Sequence, residues 1–147
     1  MSNRKKLITV FSIIIVLSFL LVNFIQHKYV VPILMYHSVN PVSRPENRLL
    51  IVSINTFQRQ MRFLKNQHYN VMSLEEIADL IKAKKKIPPK TVAITFDDGY
   101  KDVYTYAFPI LKKYNLPATM FIITNEVGRP QNDRLSWDEI KIMQDSG

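Results

Sequence analysis

Two adjacent carboxylates, Asp97 and Asp98, close the apolar run of "TVAITFDDGYKD" (residues 91–102), in a 147-residue chain whose formal charge is +8. Side by side they repel each other, so a cation or hydrogen-bond donors must offset the repulsion. Three uses fit such a pair. One carboxylate can ligate a hard or borderline cation while its neighbour accepts a proton from metal-bound water. Both can hold Mg²⁺ against a phosphate. Or their oxygens can cap the helix that follows. Gly99 supplies the permissive backbone that a tight turn needs. The histidines are His27, His37 and His68. His37 directly follows an apolar segment and could share a strand-end site with the pair; a hydrogen-bonded corner residue is the alternative. His27 borders the N-terminal apolar stretch and His68 a helix–strand corner, and both read as structural. Tyr100 is expected to pack beside the pair, and Trp137 against the body of the fold. The chain has no cysteine, which excludes a disulfide framework and any Cys-based zinc site.

The elements around these residues alternate. "YVVPILMY" (29–36) is apolar and β-branched and reads as a buried strand despite Pro32. Residues 37–53 are rich in Asn, Pro and Ser and read as a loop. "NTFQRQMRFLKNQHY" carries Phe57, Met61, Phe63 and Leu64 as a helical stripe, with Asn55 or Thr56 as its cap. A short strand is expected over 70–72. "SLEEIADLIKAK" then opens on Ser73 and Glu76 at capping-box spacing, with Leu74, Ile77, Leu80 and Ile81 as its apolar face. "TVAITF" (91–96) is a continuous apolar run, as in a strand covered on both faces. Residues 102–114 return to a helical pattern that Pro109 either kinks or restarts. "ATMFIIT" (118–124) reads as another buried strand, "GRPQNDR" as a loop, and "SWDEIKIMQDSG" as a last helix with a Ser136/Glu139 capping box. Alternation of strand and helix points to a parallel α/β fold. Sites in such folds gather at the C-terminal ends of strands, where Asp97 and Asp98 lie.

The N-terminus follows a different pattern. After Arg4, Lys5 and Lys6, residues 7–25 contain no charge. At about 1.5 Å per residue these 19 residues span about 28 Å, close to a bilayer's hydrocarbon thickness. No small-residue cleavage site follows in "LVNFIQHKYV", so the segment reads as an uncleaved signal-anchor, with a cleaved signal peptide as the rival. Basic residues before the span keep the N-terminus cytoplasmic and put the remainder outside. The expected domains are 1–28, a basic tip plus transmembrane anchor, and 29–147, a folded extracytoplasmic part. Without Arg4, Lys5 and Lys6, 17 basic residues face 12 acidic ones. The dense run "KAKKKIPPK" (82–90) lacks interleaved aromatics, so it reads as a solvated helix end and linker, and no nucleic-acid partner is expected.

"TFDDGY" resembles the first motif of the polysaccharide deacetylase family, the NodB-like carbohydrate esterases. "VPILMYHSV" resembles the entry strand of its poly-N-acetylglucosamine deacetylase-like members, and "FQRQMRFLKNQHYNVMSLEEIADLI" their first helix, strand and second helix. "YAFPILKKYNLPATMFIIT" and "LSWDEIKIMQDSG" resemble the segments that follow, so the resemblance runs from Val31 to Gly147. It implies the N-terminal part of a distorted (β/α) barrel bearing a metal-dependent amide hydrolase. By position, Asp97 would be the general base and Asp98 a ligand to a divalent metal, most often zinc. His37 lies at a position commonly near the site. The substrate would be an N-acetylated glycan such as peptidoglycan, chitooligosaccharide or poly-N-acetylglucosamine, deacetylated at the outer face of the cell membrane. The family's remaining metal ligands come from a His-x-x-x-His motif at or beyond the glycine of "MQDSG". No two histidines here have that spacing. The chain is therefore expected to carry only the first catalytic motif, the alternative being an inactive remnant that at most binds glycan. A half barrel also exposes strand edges, so residues 27–147 alone are expected to fold poorly or aggregate. A Mg²⁺-dependent phosphotransferase fits less well, since its Asp-x-Asp spacing and cytoplasmic domain are both missing.

Overall fold

The computed structural model describes residues 3–26, 30–41, 50–129 and 133–146, the side chains of 3 and 23–26 excepted. The chain divides into two compact units, Met1–Val30 and Val31–Gly147.

The first unit is one helix, α1 (Asn3–Gln26). Its 24 residues rise about 36 Å. The stretch Arg4–Val22 is long and apolar enough to cross a membrane, and none of it is buried within the chain.

The second unit is built on parallel strands. β1 (Ile33–Tyr36) pairs with β5 (Thr91–Phe96), which also pairs with β4 (Asn70–Val71) along its first half and β6 (Thr119–Met120) along its second. β2 (Ser38–Val39) and β3 (Ile51–Val52) form a separate parallel pair. This pair falls in the stretch that composition marks as loop, whose residues 42–49 lie outside the described residues. β5 is buried at all six positions, as its unbroken apolar run requires. β1 begins only after Pro32, which lacks an N–H but whose carbonyl accepts from Ala93. β6 is shorter and more open than "ATMFIIT" suggests: Phe121 is 52% exposed, because among the described residues β6 pairs only with β5.

Helices cover one face of the sheet. α2 (Ile54–Asn66) buries Phe57, Met61 and Leu64. Its cap is Ser53 rather than Asn55 or Thr56, since the Ser53 hydroxyl accepts from the Thr56 N–H. Phe63, predicted for the apolar stripe, instead turns outward against Tyr69. Tyr36, Phe57 and Phe96 pack ring to ring at 5.1–5.8 Å. The Tyr36 hydroxyl donates to Gln60, and burial pushes its pKa up to about 12. α3 (Leu74–Lys82) and α5 (Trp137–Gln144) each start with the predicted capping box. Trp137 does not pack inward; it is 59% exposed. Before α4 (Phe108–Tyr114) the chain makes a π-turn over Val103–Ala107. Pro109 cannot donate and crowds the carbonyl four residues earlier, and the wider turn precedes it.

α2, α3 and α4 end alike. His68, Lys84 and Asn115 adopt left-handed backbone, and the next N–H closes back on Leu64, Leu80 and Leu111 respectively. Glycine is usual at that position, and a chain with three glycines uses other residues.

Candidate active site

The register of β1 and β5 builds the site. Tyr36 lies opposite Phe96, so the next residues, His37 and Asp97, leave adjacent strand ends side by side. The Asp97 N–H donates to the Tyr36 carbonyl at 2.9 Å. Asp98 and Gly99 then turn the chain with φ of 68° and 67°. Two successive left-handed residues reverse direction sharply. The position is unfavourable for Asp98, whose Cβ crowds its own carbonyl. It is tolerable for Gly99, where an added Cβ would lie 3.4 Å from the Ile122 side chain.

The turn is clamped from outside. The Leu135 N–H donates to the Gly99 carbonyl and the Lys101 N–H to Asp133, forming an antiparallel bridge between Tyr100 and Arg134. The Arg134 guanidinium lies 3.8 Å from the centre of the Tyr100 ring. Lys101 pairs with Glu139 at 3.2 Å, linking the turn to the start of α5. Burial alone would raise the Glu139 carboxyl, but the Ser136 N–H and hydroxyl and Lys101 outweigh it, and the net shift is downward.

Behind the turn, Asp102 is buried. It accepts hydrogen bonds from the Ser38 hydroxyl and, at 3.5 Å, from Asn40. Burial pushes its carboxyl pKa up; these donors oppose the rise, and the charge of Asp133 adds to it. Asp102 therefore ties the strand after His37 to the helix after Asp98. Neither it nor Arg134 was singled out by sequence reasoning. Its one available signal was a third acid, four residues after Asp98.

Asp97 and Asp98 both line a cleft of about 450 Å³, with Ile33, Met35, Thr95 and Phe121 among its walls. His37 and Tyr100 stand beside the turn but are not among the cleft's lining residues. A larger cavity of about 800 Å³, walled by residues such as Phe108, Leu111, Met120 and Met143, contains neither carboxylate. The smaller cleft is the candidate site because it holds the paired carboxylates. His68 sits far along the chain at a left-handed corner, with Nδ1 2.9 Å from the Asn66 carbonyl; His27 lies outside the described residues. Among the described residues no three His, Cys, Asp or Glu side chains gather closely enough to hold a metal ion.

The paired carboxylates thus stand at the C-terminal end of the central strand of a parallel sheet. A family profile described as polysaccharide deacetylase matches residues 84–147. The putative polysaccharide deacetylase YxkH of Bacillus subtilis is 36% identical over 116 residues, 79% of this chain and 39% of that protein. The poly-beta-1,6-N-acetyl-D-glucosamine N-deacetylase of Staphylococcus aureus is 40% identical over 99 residues, 65% of this chain and 34% of that protein. The solved structure of the Streptococcus pyogenes deacetylase PplD in complex with acetate superimposes with a TM-score of 0.70 and 35% identity, covering 80% of this chain and 53% of that one. The chain belongs to the polysaccharide deacetylase family. It spans less than two fifths of the length of these two curated relatives.

Proposed function

We propose that this protein takes part in hydrolytic removal of N-acetyl groups from an amino-sugar polymer outside the cell membrane, anchored by α1. The observation that carries this reading is the placement of Asp97 and Asp98 in one cleft at the strand end, beside His37, in a chain of this family. The open sheet is read as one arc of a (β/α) barrel, whose strand-end mouth holds the site.

In this reading Asp97 is the proton acceptor and Asp98 contributes one oxygen ligand to a divalent cation, zinc by the family resemblance. The described residues do not fit a complete site for that cation, because a catalytic zinc usually has three protein ligands and the described residues offer no such cluster. The chain's own contribution is therefore narrower. The left-handed turn brings the two carboxylates to the cleft, whose apolar walls include Ile33, Met35 and Phe121. Asp97, anchored through its N–H to β1, accepts the proton of an attacking water.

Acetate release tests the proposal. The protein is incubated with β-1,6-linked N-acetylglucosamine oligomers, chitooligosaccharides and peptidoglycan fragments, with and without added Zn²⁺. Acetate from at least one polymer, suppressed by a chelator, is the expected result. No acetate from any of them contradicts it.

A further inference from the structure

The parallel strands give the Val31–Gly147 unit two chemically different ends. At the C-terminal strand ends and the helix starts that follow lie Glu75, Glu76, Asp97, Asp98, Asp138 and Glu139, with Lys101 held by Glu139 and Arg134 stacked on Tyr100 beside them. At the opposite end lie the C-termini of α2, α3 and α4 and the loops that lead into β4, β5 and β6. The helix ends carry Lys65, Lys82, Lys112 and Lys113, which favourable interaction with the helix dipoles accounts for. The loop between α3 and β5 adds Lys84, Lys85, Lys86 and Lys90, all exposed. Lys86 and Lys90 lie beyond the last turn, where the dipole effect has faded.

Lys84, Lys85 and Lys86 form no ion pair among the described residues. Lys90 is placed by its ammonium bond to the Gln67 carbonyl and its position over the Tyr69 ring. Lys84 and Lys90 also occupy left-handed backbone, with φ of 52° and 57°, where glycine is the favoured residue. The chain thus presents lysine on strained corners at one end of the sheet.

β1 and β5 are parallel neighbours, with Ile33 opposite Ala93, so the lysine loop before β5 and the chain entering β1 meet at the same end. That entering chain comes from α1. Seven peptide steps separate Gln26 from Ile33, and covalent geometry limits their reach to about 25 Å. If α1 spans the membrane, as proposed above, the basic end is tethered close to lipid headgroups. Anionic headgroups attract lysines near the surface and repel carboxylates.

We propose that the lysine-rich end of the α/β unit, centred on Lys84–Lys86 and Lys90, is a docking surface for the anionic lipid leaflet. It turns the Asp97/Asp98 end away from the bilayer, toward polymers outside it. This rests on the membrane anchoring of α1.

The absence of cysteine allows a single dye to be introduced by Ala83→Cys or by Asp138→Cys, at opposite ends of the unit. The full chain is inserted into phosphatidylcholine vesicles with or without phosphatidylglycerol, and energy transfer to acceptor-labelled headgroups is read. With phosphatidylglycerol, transfer from position 83 should exceed that from position 138 by at least about twofold. The excess should fall at high salt and vanish in the Lys84→Glu/Lys85→Glu/Lys86→Glu variant. Equal transfer with and without phosphatidylglycerol, in a chain that floats with both kinds of vesicle, overturns the proposal and leaves the anchor standing. So does an unchanged triple variant. A soluble glycerol-phosphate polymer that binds the lysines in phosphatidylcholine vesicles, where phosphatidylglycerol has no effect, also overturns it, in favour of a wall polymer. A chain that floats with neither vesicle overturns the anchor and the proposal together.

Discussion

Asp98 holds a backbone conformation that its side chain disfavours, next to a second carboxylate. Strain of this kind persists where the surroundings impose it, and here the antiparallel bridge to residues 133–135 does so. Asp98→Asn keeps the shape, suits left-handed backbone better and removes a charge beside Asp97. It should raise stability by about 0.5–1 kcal/mol, read as an upward shift of the thermal midpoint. Gly99→Ala should cost about 1–2 kcal/mol, because alanine is strained at positive φ. Asp102 makes a pH-dependent contribution. Its folded pKa lies above its unfolded one, so its contribution is fully present below the unfolded pKa and is lost as pH rises through the folded one. Melting followed upward from acid should show this decline in the parent and not in Asp102→Asn, which still accepts from Ser38. Asp102→Ala, which leaves the buried Ser38 hydroxyl without that partner, should cost about 1–3 kcal/mol. The residues Asp97 and Asp98 were legible from their type and from the apolar run before them. Asp102 was not, because an acid at a helix start is ordinary, and only the partner 64 positions earlier in the chain reveals its burial.

Elements with local causes were the ones that could be read in advance. Both capping boxes lie within four residues, and α3 and α5 begin where Ser73 and Ser136 predict. β5 declared itself by the continuous run "TVAITF", and all six of its positions are buried. β2 and β3 did not, because each has two residues and pairs with the other across a long segment. β6 was over-extended in the sequence reading, since an apolar run does not say where pairing stops. The start of α5 matters for the site, as Glu139 both caps it and pairs with Lys101. Ser136→Ala should cost about 1 kcal/mol. Hydrogen exchange should then quicken at the Leu135 and Lys101 amides, which hold the turn. Unchanged exchange there would show that α5 does not support the turn.

For the molecule as a whole, one face of the sheet carries the aromatic core, and the other is covered at β5 but open at β1. Ile33 is 54% and Met35 61% exposed, although both belong to a strand beside the buried β5. Apolar surface left in water favours association. Residues 31–147 expressed without α1 should form concentration-dependent oligomers in sedimentation, and a monomer with a sharp cooperative melt would contradict this. Alternation of strands and helices gave the parallel α/β class from sequence. The family resemblance anticipated exposed strand edges but not the exposed side chains of β1, which reads as a buried strand, because side-chain periodicity reports which residues are apolar and not what covers them.

The role assigned to Asp97 is decided by comparing acetate release between the parent and Asp97→Asn on a polymer that the parent deacetylates, with equal thermal midpoints confirming that both are folded. Loss of the proton acceptor should lower kcat by about 10²–10⁴-fold. Equal kcat values would mean that Asp97 does not accept the proton, and that the strand-end pair is not the catalytic centre.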